Sequence, residues 1–261
     1  MRSSSQPETA VPEATPVAPA APAGAPATRI RIVLVGARNP LNIGAAARAM
    51  ANFGLADLAL VRPYGEAWRR ARSARAGAAV LAQARVFASL PEAIADCGYV
   101  IGTAGLAGRH PEIPVADWSD LAQRLPATRC ALVFGSEKTG MTVADIGCCH
   151  VLAHIDTAPA APSMNLGQAV AVCAYELQRR QATPAAPEDS AADWGQRDLL
   201  VRQITPVLEH IGVFRPQHRA GQMRRLRRML LAWRLRPADI RLLLGVAREM
   251  KRVLGLPRDQ P

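Results

Sequence analysis

Three stretches of this chain set glycine beside small polar and charged side chains: Gly36–Gly44 (GARNPLNIG), leading toward Arg48; Gly135–Gly140 (GSEKTG); and Pro162–Asn165 (PSMN). Glycine lets backbone come close to a small ligand. Glu137 could accept hydrogen bonds from hydroxyls or amines, or cap a helix starting near Thr142. Lys138-Thr139 looks like the end of a nucleotide-binding P-loop, but that loop needs glycine directly before the lysine. Here Glu137 precedes Lys138, where a carboxylate would repel a triphosphate, and Ala131-Leu132-Val133 reads as strand. GxGxxG and the GxSxG nucleophile elbow are both absent. The cysteines are Cys97, Cys130, Cys148, Cys149 and Cys173, with no CxxC pair. Cys148-Cys149-His150 lacks the second ligand pair a zinc site requires, so no metal is expected.

The elements around these stretches alternate. Ile30–Val35 is a β-branched run stopped by Gly36. Ile43, Ala46, Ala47, Met50 and Phe53 then recur at helical spacing up to Gly54. Leu58–Val61, Val86–Phe87, Tyr99–Gly102, Ala131–Phe134 and Val151–Ile155 read as strands. Trp68–Ala82, a short stretch after Pro91, and Leu166–Leu177 read as helices. Strand alternating with helix predicts an α/β domain with a parallel sheet. In such sheets ligands bind outside the carboxyl ends of the strands, where the glycine-rich stretches fall.

Charge divides the chain. Residues 1–196 carry 17 Lys+Arg and 16 Asp+Glu, whereas residues 197–261 carry 15 and 5, so a net +10 of the total +11 lies in the last quarter. Arg224, Arg225, Arg227 and Arg228, with Arg219 and Arg234 nearby, point to a polyanion, nucleic acid before anionic membrane. Met223, Leu226, Met229, Leu230 and Trp233 form an apolar stripe at helical spacing in the same segment, equally suited to a core face. Helical patterns over 196–212, 217–234 and 237–254 are punctuated by Gly212, Pro216 and Pro237. Residues 1–28 hold six of the 21 prolines and read as a disordered tail. Residues 181–195 read as a linker. No apolar run reaches membrane-spanning length, and the tail lacks a signal-peptide core, so a cytoplasmic protein with reduced thiols and no membrane partner is expected.

Taken together, Asn39–Gly54 (NPLNIGAAARAMANFG), Leu132–Thr142 (LVFGSEKTGMT) and Val151–Leu177 (ending SMNLGQAVAVCAYEL) resemble, in order and spacing, the three motifs of the SPOUT superfamily of RNA methyltransferases, SpoU/TrmH branch. The C-terminal segment from Ile211 to Met250 is similar to the helical extension of its TrmJ-like group, tRNA 2′-O-ribose methyltransferases acting at anticodon-loop position 32. The resemblance covers residues 29–254. It implies a parallel-sheet SPOUT domain (29–180) with a C-terminal trefoil knot, followed by the linker and a small all-α, basic RNA-binding domain (196–256). It also implies a homodimer that uses S-adenosylmethionine and tRNA. Carried over, Thr103, Gly135, Glu137 and Gly140 line the cofactor pocket, Ile155 offers backbone to the adenine, and Ser163, Asn165 and Leu166 close the knot. Arg48 matches the catalytic arginine, Asn42 supports its loop, and Ser163 or Asn165 contacts the reacting hydroxyl. Arg224, Arg225, Arg227 and Arg228, with Arg69 and Arg72 (beside Arg70 and Arg75) as a second patch, would hold RNA. The group commonly has Glu-Thr/Ser where this chain has Gly36-Ala37-Arg38, and a tyrosine and serine where it has Ala160-Ala161-Pro162. A ribosomal RNA methyltransferase and an inactive RNA-binding factor stand as alternatives.

Overall fold

The computed structural model describes residues 29–65, 68, 76–103, 113–179, 191–233 and 235–257. The expected tail (1–28), residues 181–190 of the expected linker, and Arg69, Arg70, Arg72, Arg75 and Arg234 lie outside the described residues. Seven strands form one sheet: β1 (Ile30–Val35), β2 (Asp57–Val61), β3 (Arg85–Phe87), β4 (Tyr99–Thr103), β5 (Val115–Asp117), β6 (Cys130–Phe134) and β7 (Val151–His154). Their order is β3-β2-β1-β6-β4-β7-β5, and every strand pairing among the described residues is parallel. The connecting helices are α1 (Pro40–Asn52), α2 (Ala78–Ala82), α3 (Leu90–Ala93), α4 (Trp118–Gln123), α5 (Val143–Ile146) and α6 (Leu166–Arg179).

Alternation along the strands sorts their side chains onto two faces. Ile32, Leu34, Leu58, Leu60, Leu132 and Phe134 face α1 and α6 in one core layer. Val33, Val35, Ala59, Val61, Ala131 and Val133 face the other layer with Leu90 and Ile94. Register fixes this: Ile32 lies between Leu58 and Leu132, and Val33 between Ala59 and Val133. Both faces are covered, which is why the strands read as continuous apolar runs. α1 and α6 approach closely because Gly167 has no side chain; a Cβ there would stand 2.6 Å from Ala45 Cβ.

At the amino end of the sheet, away from the glycine-rich loops, Arg31 is a buried cation. Its Nε is 3.0 Å from Asp57 Oδ2 and its Nη1 is 2.5 Å from Asp96 Oδ1. Arg129 reaches the same two carboxylates at 2.7 Å each, and Arg85 reaches Asp57 at 2.8 Å. Burial works to raise the Asp96 carboxyl, but the hydrogen bond and charge of Arg31 outweigh it and hold the group below the ordinary range.

The C-terminal patterns are helices α7 (Trp194–His210), α8 (Arg219–Ala232) and α9 (Pro237–Val253), packed together through Leu200, Val201, Leu230, Ile240 and Leu244. α7 starts at Trp194, inside the stretch read as linker, with Asp193 as its N-cap. Trp194 is buried in the second core layer, and its indole Nε1 donates to Cys148 O at 3.0 Å. Two elements were not expected at all: β5, and α4, capped by Asp117 accepting from Ser119 N at 2.7 Å. Of the expected helix over Trp68–Ala82, the described part is Ala78–Ala82. No described helix is long and apolar enough to cross a membrane.

Candidate active site

Sheet order sets β1, β6, β4 and β7 side by side, so the loops after them emerge at one edge. The first loop runs into α1, whose start is fixed by Asn39: its side chain accepts from Leu41 N at 2.9 Å, and Pro40 occupies the first turn. The second loop, Gly135–Gly140, folds back on itself. Ser136 and Gly140 form an antiparallel bridge, and Ser136 Oγ lies 2.9 Å from Thr139 Oγ1. A Cβ at Gly135 would run into the backbone of Gly140 and Met141, and Gly140 has φ +66. Only glycine meets both demands. The third loop ends at Asn165, whose Oδ1 accepts from Gly167 N at 2.9 Å, capping α6.

One hydrogen-bonded chain joins the three loops. Glu137 Oε1 accepts from Asn42 Nδ2 at 2.8 Å, and Asn42 Oδ1 accepts from Asn165 Nδ2 at 2.9 Å. Glu137 also accepts from the backbone N–H of Arg38 at 3.2 Å and of Asn39 at 3.4 Å. Partial burial pushes the Glu137 carboxyl up. The Asn42 amide and the backbone donors more than offset this, and the group sits below the ordinary carboxylate range. Glu137 is therefore an anion at neutral pH, and its task within the chain is to hold the first loop. It does not cap α5, as one reading of the sequence allowed. Thr142 does so, in a capping box with Asp145.

The remaining expected residues take different places. Arg48 is exposed on α1, two turns beyond Asn42, with no hydrogen-bond or ion-pair partner among the described residues. Ser163 is exposed and stands outside the Glu137–Asn42–Asn165 chain. Thr103 is half-buried, and its hydroxyl donates to Val133 O at 3.1 Å, tying β4 to β6. Ile155 is half-buried against the first core layer, and the Leu166 side chain belongs to that layer. Asn39, which sequence reasoning did not single out, both caps α1 and donates to Glu137. Its signal was the Asn-Pro step just before a helical pattern.

The arginines of α8 are not equivalent. Arg227 donates to Asp198 Oδ1 from Nε at 3.0 Å and Nη2 at 2.5 Å, and its guanidinium lies 5.6 Å from the Trp194 ring centroid. Arg224 is half-buried, with its Cδ within 3.4 Å of where a Gly147 Cβ would lie. Arg225 is exposed. Cys148 and Cys149 are core residues, and His150 is half-buried beside them. The two thiols donate to Ala144 O and Asp145 O at 3.4 Å, and His150 Nδ1 accepts from Val100 N at 3.0 Å. Burial, helped by the charge of Arg197, pushes His150 down to about 3, so it is neutral.

Residues 29–175 match the model of the SpoU rRNA methylase family. The chain is 34% identical over 235 residues to a tRNA (cytidine/uridine-2′-O-)-methyltransferase TrmJ of Yersinia pestis, covering 83% of this chain and 89% of that protein. It is 33% identical over 252 residues to the tRNA (cytidine/uridine/adenosine-2′-O-)-methyltransferase TrmJ of Pseudomonas aeruginosa, covering 86% and 95%. The crystal structure of TrmJ from Z. mobilis ZM4 superposes with a TM-score of 0.74 at 30% identity, over 85% of this chain and 98% of that one. With the family model matching residues 29–175 and these relatives covering more than four-fifths of the chain, the chain belongs to the SpoU methylase family, in its TrmJ-like group.

Proposed function

We propose that this protein transfers a methyl group from S-adenosylmethionine to a ribose 2′-hydroxyl of tRNA, at anticodon-loop position 32. The observation that carries the reading is the Glu137–Asn42–Asn165 chain, which locks three strand-end loops together beside a helix bearing the unpaired cation Arg48. The loops fit the cofactor in two respects. Gly135 and Gly140 hold a backbone turn bare of side chains at the ends of central strands, and an ionised Glu137 supplies negative charge near a cationic sulfonium. When bound, S-adenosylmethionine supplies a methyl group on positively charged sulfur.

Within this reading Thr103, Gly135, Gly140, Ile155 and Leu166 line the cofactor loops, and Ser163 and Asn165 face the ribose. A guanidinium is protonated at all working pH values, so Arg48 does not act as a base. It orients the phosphate or ribose and stabilises negative charge as the 2′-oxygen becomes nucleophilic. Transfer would break the sulfur–methyl bond, leave its electron pair on a neutral thioether, and release the 2′-hydroxyl proton to solvent as the oxygen–methyl bond forms. The C-terminal part of the sheet domain is threaded into a trefoil knot closed by Ser163, Asn165 and Leu166, a reading supported by the return of the chain from β7 across the sheet to seat α6 on α1. The homodimer uses the outer faces of α1 and α6. Leu41 is 58% exposed there, and Tyr175, 51% exposed, packs edge-on to Phe53. The helices from residue 196 to 256, with Arg224, Arg225 and Arg228 foremost, hold the tRNA backbone in the cytoplasm.

The test uses total tRNA from a strain lacking this gene, incubated with purified protein and methyl-labelled S-adenosylmethionine, then digested and mapped by mass spectrometry. Label on a 2′-O-methyl nucleoside of the anticodon loop, lost in Arg48→Ala, is the expected result. Label on ribosomal RNA alone overturns the substrate. RNA binding without label on either RNA overturns the enzyme.

A further inference from the structure

The first residues after β2, 62–65, lie against the loop after β1, and no part of the mechanism above uses them. They begin at Arg62, whose φ of 47° makes it the one non-glycine residue with positive φ among the described residues. Such backbone persists only where the surroundings fix it. Here Arg62 N–H donates to Phe87 O at 3.1 Å, and its Nη2 lies 3.9 Å from Asp145 Oδ1. Pro63 follows, and Tyr64 N–H donates to Ala37 O at 3.0 Å. The next two N–H groups of that loop, from Arg38 and Asn39, are the ones that donate to Glu137. Tyr64 is thus tied through backbone to the Glu137–Asn42–Asn165 chain.

Its side chain contributes nothing to the core. The ring is 73% exposed, and the Arg38 guanidinium carbon stands 5.9 Å from its centroid, over one face. The side-chain cations of Arg38 and the exposed Lys138 have no carboxylate partner among the described residues. A flat ring held on fixed backbone and backed by a cation matches an unpaired nucleobase with its phosphate. Bases splayed from single-stranded loops stack on aromatic rings and arginine planes. Among the described residues no exposed aliphatic cluster stands beside Tyr64, so the ring lacks the apolar area a protein or membrane partner needs.

We propose that Tyr64 and Arg38 form a shelf on which a base of the RNA loop stacks at the mouth of the site. This rests on the proposed RNA substrate. The probe is a stem–loop RNA with the sequence of the substrate anticodon arm and 2-aminopurine in its loop, titrated into wild type, Tyr64→Ala, Tyr64→Leu, Tyr64→Phe and Arg38→Gln. Methyl transfer to the same RNA is measured alongside. Stacking predicts fluorescence quenching by wild type and Tyr64→Phe. In Tyr64→Ala and Tyr64→Leu it predicts loss of quenching, with Kd and KM raised roughly tenfold. Arg38→Gln should fall between. Unchanged melting temperatures exclude a folding defect. If wild type methylates the RNA and Tyr64→Ala and Tyr64→Leu bind and quench like it, the shelf is wrong and the methyltransferase reading stands. If quenching and binding depend on Tyr64 but no methyl is transferred, the shelf stands and the activity does not. If wild type neither binds nor methylates the RNA, both fall.

Discussion

If Asn42 is the bridge between Glu137 and Asn165, then damage at the two ends should be less than additive. Glu137→Gln keeps one carbonyl acceptor but removes the charge and one oxygen. Only the 2.8 Å bond from Asn42 has the length of a strong charge-assisted contact; those from Arg38 and Asn39, at 3.2 and 3.4 Å, are weak. Hydrogen bonds to charged groups contribute about 1.5–3 kcal/mol net, and an exposed carboxylate sits at the low end, so the substitution should cost about 1–1.5 kcal/mol. Asn165→Ala removes the 2.9 Å bond to Asn42 and the 2.9 Å cap on α6. Each is worth about 1 kcal/mol, or about 2 together. Once Glu137 no longer holds Nδ2, the Asn42 amide is free to turn, and part of the second cost has already been incurred. The double variant should therefore be about 0.5–1 kcal/mol more stable than the sum of the singles predicts. At about 2–4 °C per kcal/mol for a chain of this size, that is a few degrees in a thermal melt. Denaturant titration of the four proteins closes the cycle. Additivity within about 0.3–0.5 kcal/mol would refute the claim that one connected chain holds the three loops.

Other expectations follow from the same contacts. Because the Glu137 carboxyl is held below its unfolded value, its stabilisation is present above the ordinary carboxylate range and lost as pH falls through the folded value. The melting-temperature gap between wild type and Glu137→Gln should be constant near neutrality and close on acidification; a gap constant through the acid range contradicts this. Asp57→Ala leaves the buried Arg31 with half its compensation, and should cost about 3–5 kcal/mol in denaturant titration while leaving cofactor affinity intact in the folded fraction. Arg225→Ala should lower the salt slope of tRNA binding by about one unit without changing the melt. Arg227→Ala should lower the melting temperature by a few degrees, because it withdraws the closer and better buried of the two arginines that reach the nearly buried Asp198 among the described residues and leaves Arg202, at 3.4 Å.

Much of this fold is legible in the sequence because it is local. Apolar runs ending in glycine, β-branched in β1, mark β1 and β6, and apolar spacing marks α1 and α6. β5 escapes because three residues at the sheet edge carry no alternation, and α4 is masked by the same brevity. Trp194 escapes because it is a single apolar residue after a polar stretch, and its burial depends on Cys148 O, 46 positions away. The site divides likewise. The motifs name Asn42, Arg48, Glu137 and Asn165, but no spacing reveals that Glu137 binds Asn42 across 95 positions rather than capping the adjacent helix. Arg227 reads from composition as another RNA cation, and only the distant Asp198 shows its commitment to the fold.

The proposed reaction turns on one oxygen atom. Two full-length tRNA transcripts, identical except that one carries a 2′-deoxynucleotide at position 32, would be offered to the protein with methyl-labelled S-adenosylmethionine. Label is expected on the all-ribose tRNA, none on the deoxy-substituted one, with equal binding of both. Equal labelling of the two would contradict the proposed reaction.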